Sequence, residues 1–125
     1  MAGKTVAILG GGVGGLVAAN RLRRLLPREH RVVLVDRNVW HSFAPAYTSV
    51  MLGHKVAEQI SRDLRRLGRK GIEFIAAEIS GIDLSHRTVH LSGQELTYDY
   101  LVLAMGAQYS AGDIPGLATA YTYYT

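Results

Sequence analysis

A cluster of glycines near the start of the chain is the feature best suited to chemistry. Gly10, Gly12 and Gly15 satisfy the pattern G-x-G-x-x-G, and Ala19 is a small residue one helical turn further on. In this pattern the first glycine permits a tight turn, the second lets the backbone approach a diphosphate, and the third lets a helix pack closely on a strand. The start of that helix presents N–H groups and a partial positive charge to the anion. The spacing therefore predicts a dinucleotide site.

An acidic residue follows the glycines at the distance that such a site requires. Asp36 ends the apolar run 31–36, about twenty residues beyond the last glycine. A carboxylate in this position accepts hydrogen bonds from an adenosine ribose and repels a 2′-phosphate, so we expect FAD or NAD rather than NADP. The alternative for Asp36 is a turn-forming role after a strand. Arg37 beside it fits stacking on adenine and a solvated surface position equally well.

The elements that must position these residues are a strand, a turn, a helix and a second strand. Residues 5–9 and 31–36 are short apolar runs typical of strands buried on both faces of a parallel sheet. The helix between them begins at Val13 and ends before Pro27. Its apolar positions are Val13, Leu16, Val17, Leu22, Leu25 and Leu26. Further strands are predicted at 72–77 and, in the centre of the sheet, at 100–104. The expected fold class is α/β, a Rossmann-like parallel sheet forming a single domain over residues 1–125.

The segments between these strands predict additional elements. Apolar residues alternate around turn signals from 82 to 98, which indicates an inserted antiparallel β-meander. Residues 40–53 predict a functional loop with a short helix. Val56, Ile60, Leu64 and Leu67 predict one face of a helix that Gly68 ends. We interpret the basic residues near its C-terminal end as complementing the helix dipole on a solvated face. They are Arg62, Arg65, Arg66, Arg69 and Lys70.

Composition excludes several classes of function. The 125 residues are 48% hydrophobic, carry a net charge of +4 and include no cysteine, which indicates one globular domain without thiol catalysis or cysteine-bound metal. Residues 1–74 hold 13 basic and 5 acidic side chains, a balance that suits an anionic ligand or a membrane surface. No aromatic residues interleave with the arginines, so nucleic acid is not expected. The five histidines are not spaced as a ligand set, and no metal is expected.

The sequence also bears on where the protein acts. Glycines interrupt the first apolar stretch, which is unlike the helical core of a secretory signal, and no apolar run is long enough to cross a bilayer. We therefore expect no signal peptide and no transmembrane helix. The expected location is the cytoplasm or the cytoplasmic face of a membrane, with peripheral association possible in the second case.

The order of these motifs resembles the N-terminal part of the two-dinucleotide-binding-domain flavoproteins. The matching segments run from Lys4 to Gly116 and read VAILGGGVGGLVAANRL, VVLVDRN, SFAPAY, GIEF, TYDYLVLAMGA and IPG. The resemblance is nearest to the sulfide:quinone oxidoreductases and flavocytochrome c sulfide dehydrogenases, with the type II NADH dehydrogenases next. One departure is that the usual Ala-Thr-Gly turn reads Ala104-Met105-Gly106, which removes a hydroxyl. Because that turn meets the cofactor mainly through its backbone, the departure is minor.

The resemblance implies FAD as the cofactor and assigns its contacts. The glycines would hold the diphosphate, Asp36 and Arg37 the adenosine, and the backbone at 78–79 the adenine. The loop at 44–45 would lie along the flavin, and the turn at 104–106 would close over the cofactor. The candidate cofactor-binding residues are Gly10, Gly11, Gly12, Gly15, Asp36, Arg37, Ala44, Pro45, Glu78, Ile79, Ala104 and Gly106.

The resemblance further implies a flavin-dependent oxidoreductase that passes electrons from sulfide through FAD to a quinone. Two alternatives stay open: a type II NADH dehydrogenase that takes electrons from NADH, and a non-catalytic module that binds NAD or ADP. Members of the family are several times longer and carry their redox cysteines beyond this region. We therefore expect the 125 residues alone to be inactive, and the aromatic residues 121–124 to pack on a further segment or promote self-association.

Overall fold

The computed structural model describes residues 2–108, 110, 112 and 114–120. Its α-helices are α1 (Val13–Leu25) and α2 (Tyr47–Met51). Its strands are β1 (Thr5–Leu9), β2 (Arg31–Asp36), β3 (Trp40–Ser42), β4 (Ser61–Asp63), β5 (Glu73–Ala76), β6 (Ile79–Asp83), β7 (Thr88–Leu91), β8 (Gln94–Thr97) and β9 (Tyr100–Leu103). Short 3₁₀ helices lie at Ala44–Ala46, Ala57–Ile60, Leu64–Lys70 and Leu117–Thr119. The aromatic residues 121–124, for which we predicted packing or self-association, lie outside the described residues.

The central sheet has four parallel strands in the order β5-β2-β1-β9. In its register Val6 lies opposite Val32 on one side and opposite Tyr100 on the other. The predicted α/β fold with strand, helix and parallel strand is confirmed. Within the described part of the chain β9 pairs only with β1, so the expected central position of residues 100–104 is not seen there. A long apolar run identifies a strand, but it does not identify the strand's neighbours.

Alternate residues of the two inner strands face opposite layers of the core. Val6, Ile8, Val32 and Leu34 pack towards α1 and the 3₁₀ helix Leu64–Lys70. Ala7, Leu9, Val33 and Val35 pack on the other face against residues of the meander, chiefly Val89, Leu91, Leu96 and Tyr98. The predicted antiparallel meander is confirmed as a three-stranded sheet in the order β6-β7-β8. The fold therefore has three layers, and the carboxyl ends of its parallel strands form one edge.

The prediction of a helix from Val56 to Gly68 is wrong. Ser61–Asp63 instead forms β4, which pairs antiparallel with β3, and 3₁₀ helices lie on either side of it. The second of them ends at Gly71 in a left-handed conformation, with φ +80°. Ile60, Leu64 and Leu67 are nevertheless buried, so the periodicity identified the inward-facing residues but not the backbone. Arg69 and Lys70 lie in the last turn of the 3₁₀ helix Leu64–Lys70, so the dipole interpretation of the basic cluster holds for these two residues and not for Arg62, Arg65 and Arg66.

The inward face of α1 also differs from the expectation. Val13, Val17 and Leu25 are exposed, whereas Gly15 and Ala19 are buried against the sheet, with Leu16, Ala18, Leu22 and Leu26 partly buried beside them. Glycine lies at the point of closest approach because a Cβ on Gly15 would lie 1.7 Å from the carbonyl oxygen of Gly10.

Arg23 is a buried cation on the same helix that the sequence did not single out. Its guanidinium donates hydrogen bonds to the carbonyl oxygens of Leu26, Pro27 and His30, at 2.9, 2.5 and 2.6 Å. These oxygens belong to the last turn of α1 and the connection to β2, where carbonyl groups have no helical partners. Arg23 therefore holds the end of α1 and its connection to β2 in one conformation.

We predict that Arg23→Met lowers the free energy of unfolding by about 2–4 kcal/mol, because three carbonyl oxygens lose a charged donor. Arg24→Met is the matched control, since Arg24 is the next residue and is exposed. Its effect should stay within about 0.5 kcal/mol. Urea unfolding of both variants gives the comparison, and equal effects would contradict the role assigned to Arg23.

Candidate functional site

The glycine loop joins the carboxyl end of β1 to the start of α1, and two of its glycines are required by the backbone itself. Gly10 has φ +105°, and a Cβ there would lie 2.2 Å from the carbonyl oxygen of Ala104. A Cβ at Gly15 would lie 1.7 Å from the carbonyl oxygen of Gly10. Both positions therefore exclude any side chain. The close approach at Gly15 brings the first turn of α1 directly beside the end of β1.

Gly11 is enclosed by side chains from three other elements. Its N–H donates to Oδ2 of Asp36 at 2.6 Å, and its carbonyl oxygen lies 3.0 Å from Nδ1 of His41. A Cβ on Gly11 would lie 2.8 Å from Cδ1 of Leu64. Both backbone polar groups of this residue are thus occupied by the protein. Its N–H is already committed to Asp36.

Gly12 and Gly14 differ from the other glycines of the loop because the fold does not require them. Both are exposed. A Cβ on Gly12 would have no heavy atom within 4 Å, and one on Gly14 would make only an ordinary contact of 3.8 Å with Cβ of Ala104. Gly12 has φ −74° and ψ −169°, a conformation open to any residue. Backbone strain therefore does not require glycine at this position.

The start of α1 is open to an anion. Gly12 is its N-cap residue, and within the described chain no side chain caps the helix and no acidic residue lies in its first turn. The first N–H groups of a helix have no partner inside the helix, and they carry the positive end of its dipole. The open space at Gly12 therefore lies at the point where the backbone can donate hydrogen bonds to a negatively charged group.

Asp36 lies at the end of β2, where its carboxylate faces the glycine loop. Oδ2 accepts the Gly11 N–H, and Oδ1 accepts the N–H of Asn38 at 2.7 Å. Each carboxylate oxygen has two acceptor positions, so one on each oxygen is left for further donors. Asp36 thus orders the loop and can still bind hydroxyl groups.

A cavity of about 520 Å³ opens beside Asp36 at the carboxyl edge of the sheet. Five of the candidate residues line it, namely Gly10, Asp36, Arg37, Glu78 and Ile79. Val35, Asn38, Ala77, Met105 and Gln108 complete its lining. Residues distant in the sequence are brought together because parallel strands end at the same edge.

The other candidates lie around this cavity or apart from it. Ala104 follows β9 and donates its N–H to Leu9 at 2.8 Å, so the turn at 104–106 crosses the glycine loop. Gly106 has φ +79°, which favours glycine. Ala44 and Pro45 lie in an exposed 3₁₀ turn after β3 and do not line the cavity. Their predicted contact with the flavin stays a prediction.

His41 and Leu64 contact the loop and were not predicted as site residues. His41 is part-buried in β3 rather than a free loop histidine, and β3 is held by its pairing with β4. The contact depends on that short, nonlocal pairing, and a three-residue strand has too little periodicity to be found from the sequence.

The described residues contain no group of three or more histidine, aspartate or glutamate side chains that could bind a metal ion. In the same part of the chain, none of the helices combines the length and the apolar character needed to cross a bilayer. The described site offers a helix start open to an anion, the Asp36 carboxylate that faces the glycine loop, and a cavity that Glu78 also lines, and these features suit a nucleotide.

Comparison with known proteins identifies the family. The family model of the pyridine nucleotide-disulphide oxidoreductases matches residues 4–125. The chain belongs to this family. It is 39% identical over 105 residues to the sulfide-quinone reductase of Aquifex aeolicus, which is 82% of this chain and 24% of that protein. It is 35% identical over 121 residues to a demethylphylloquinone reductase of Synechocystis, covering 90% of this chain and 30% of that protein.

The solved structure of the Aquifex aeolicus sulfide:quinone oxidoreductase superposes on the chain with a TM-score of 0.81 and 37% identity. The match covers 87% of this chain and 26% of that one. The predicted Rossmann-like FAD-binding fold is confirmed. The predicted membership of a flavin-dependent oxidoreductase family is also confirmed. The matched part of the chain spans 24% and 30% of the length of these two relatives.

Two adjacent glycines allow the packing requirement to be tested. We predict that Gly15→Ala lowers the free energy of unfolding by about 3 kcal/mol or more, because the backbone must move to admit the Cβ. Gly14→Ala should be neutral or should stabilise the protein by up to about 1 kcal/mol, since alanine favours the helix. Chemical unfolding measures both values. A tolerated Gly15→Ala would contradict the close approach of α1 to the turn.

Proposed function

We propose that this chain is the FAD-binding part of a flavin-dependent quinone reductase. The observation that carries the proposal is Gly12, an exposed glycine that the fold does not require, at the uncapped start of a helix. Glycine in such a position is explained by a ligand that comes close to the backbone. The family relationship supports FAD as that ligand.

The residues present fit a dinucleotide. The N–H groups from Gly12 into the first turn of α1 would hold the diphosphate, and the space that a Cβ would fill at Gly12 admits its oxygens. Gly10 and Gly15 act by allowing the turn and the close helix, and Gly11 acts through Asp36 and His41 rather than on the ligand.

The adenosine half of FAD would occupy the cavity beside Asp36. The two acceptor positions left on the Asp36 carboxylate would take the ribose hydroxyls, and a 2′-phosphate there would meet a like charge. Arg37 and the backbone at Glu78 and Ile79 line the same cavity and would contact the adenine.

The flavin half would extend from the glycine loop towards the turn at Ala104 and Gly106 and the loop at Ala44 and Pro45. FAD supplies the chemistry of accepting and passing on electrons, and the chain supplies binding and orientation. Within the described residues we assign no side chain to catalysis. The role of this chain is to hold the diphosphate at a fixed place at the end of β1.

For the whole protein we propose a reaction in which sulfide donates electrons and a quinone accepts them. The names of two relatives support this reaction. The Aquifex aeolicus protein is named a sulfide-quinone reductase, and the Synechocystis protein is named a demethylphylloquinone reductase. NADH is the alternative donor, favoured by the reference to pyridine nucleotides in the family description. The same description argues against a non-catalytic module that binds NAD or ADP.

Peripheral association with the cytoplasmic face of a membrane is part of the same proposal. Quinones of respiratory and photosynthetic type dissolve in the bilayer, so an enzyme that reduces them must reach the membrane surface. The 13 basic residues among residues 1–74 suit an anionic surface, because such a surface attracts lysine and arginine.

The decisive experiment places a side chain at Gly12. We predict that Gly12→Val in the full-length protein lowers FAD affinity at least about a hundredfold, equivalent to about 2.7 kcal/mol, because the side chain fills the diphosphate space. The stability of the apoprotein should stay close to that of the wild type. FAD fluorescence titration and urea unfolding measure the two quantities.

Gly68→Val is the matched control, because a Cβ at Gly68 also has no heavy atom within 4 Å and lies outside the candidate site. This variant should bind FAD as the wild type does. The proposal fails if Gly12→Val keeps wild-type affinity, or if the wild-type apoprotein does not bind FAD.

A further inference from the structure

We propose that His41 is a positioning residue that orients the Gly12 N–H towards the diphosphate, an inference that rests on the proposed FAD binding. Nδ1 of His41 lies 3.0 Å from the carbonyl oxygen of Gly11. A carbonyl oxygen only accepts hydrogen bonds, so Nδ1 carries the proton and donates it. The imidazole therefore holds the peptide bond that joins Gly11 to Gly12.

The orientation of this peptide follows from its planarity. The peptide bonds of the described chain are trans, and in a trans peptide the C=O and the N–H point in opposite directions. When His41 fixes the Gly11 C=O on one side, the Gly12 N–H must point to the other. Within the described residues this N–H has no backbone acceptor, and Gly12 is exposed.

The donor strength of the Gly12 N–H also depends on His41. A hydrogen bond accepted at a peptide C=O polarises that peptide and strengthens the donor at its other end. Asp36 holds the preceding peptide through the Gly11 N–H. The two side chains thus fix successive peptides, and only the second of these peptides presents its free donor at the uncapped start of α1.

His41 can act in this way because β3 is held firmly. Residues His41 and Arg62 are paired across β3 and β4, Phe43 donates its N–H to Ile60 at 2.9 Å, and Leu64 donates to Val39 at 2.8 Å. The same Leu64 packs against Gly11. The β3–β4 pair therefore serves as a support for the glycine loop.

The test compares His41→Leu with His41→Asn in the full-length apoprotein. The asparagine amide nitrogen is attached to Cγ, as Nδ1 is in histidine, so it can donate to the same oxygen, whereas leucine has similar size and no donor. We expect His41→Leu to weaken FAD binding about three- to tenfold, the value of one hydrogen bond. His41→Asn should restore affinity to within about twofold of the wild type.

A second measurement separates positioning from general stability. If His41 orients a diphosphate donor, His41→Leu should weaken ADP as a competitor of FAD by the same factor and leave adenosine unchanged. The Gly12 amide resonance in ¹H–¹⁵N spectra should also shift in His41→Leu and return in His41→Asn. His54→Leu is the control, because His54 is exposed and far along the chain from the loop.

The possible results distinguish a failure of the His41 inference from a failure of the proposed function. Equal FAD affinities in the wild type and His41→Leu, or equal losses for ADP and adenosine, overturn the inference and leave the proposed function standing. A wild-type protein that does not bind FAD overturns the proposed function itself. Should His41→Leu fail to fold, His41→Asp replaces it, because aspartate matches asparagine in size but offers only acceptors to the Gly11 oxygen. Wild-type affinity in His41→Asp would then overturn the inference.

Discussion

The packing of α1 against the end of β1 is the contact on which the site depends. At Gly15 the helix approaches the Gly10 carbonyl oxygen so closely that a Cβ would lie 1.7 Å from it. This approach fixes the distance between the first turn of the helix and the carboxyl edge of the sheet. The uncapped start of α1 consequently lies two residues after Gly10, which lines the cavity beside Asp36. Folding and anion binding therefore share one geometric requirement.

The glycines of the loop separate into two groups when each is given a side chain in turn. Gly10, Gly11 and Gly15 are buried, and a Cβ on any of them would collide with protein atoms. Gly12 and Gly14 are exposed, and a Cβ on either would be accommodated. A motif match alone treats all of these residues alike. The structure separates those that the fold requires from those that only a ligand explains, and Gly12 is the clearest member of the second group.

Local signals in the sequence predicted the parts of the fold that local interactions build. Strand β1, helix α1 and strand β2 follow from apolar runs and a glycine turn within about thirty residues. Long-range pairing decided the rest. Residues 61–63 have helical periodicity but form β4 because β3 is available to pair with them. The inward face of α1 was misjudged because small residues, not large ones, fit the close contact at Gly15. His41 was missed because only that same pairing directs it to Gly11.

The Asp36 carboxylate both holds the glycine loop in place and has positions left to bind a ligand. It holds the Gly11 N–H in the apoprotein and has acceptor positions left for a ribose, so a change at Asp36 alters loop geometry and ligand contacts together. A ligand bound to the native state alone stabilises it by an amount that grows with the logarithm of the ratio of its concentration to its Kd. FAD that contacts Asp36 and the helix start would thus stabilise the loop geometry that it requires. Loop order and cofactor affinity are coupled at Asp36, whereas Gly12 affects the ligand without being needed by the loop. The two residues therefore report on different quantities, although Gly12 lies in the glycine loop and Asp36 is hydrogen-bonded to that loop.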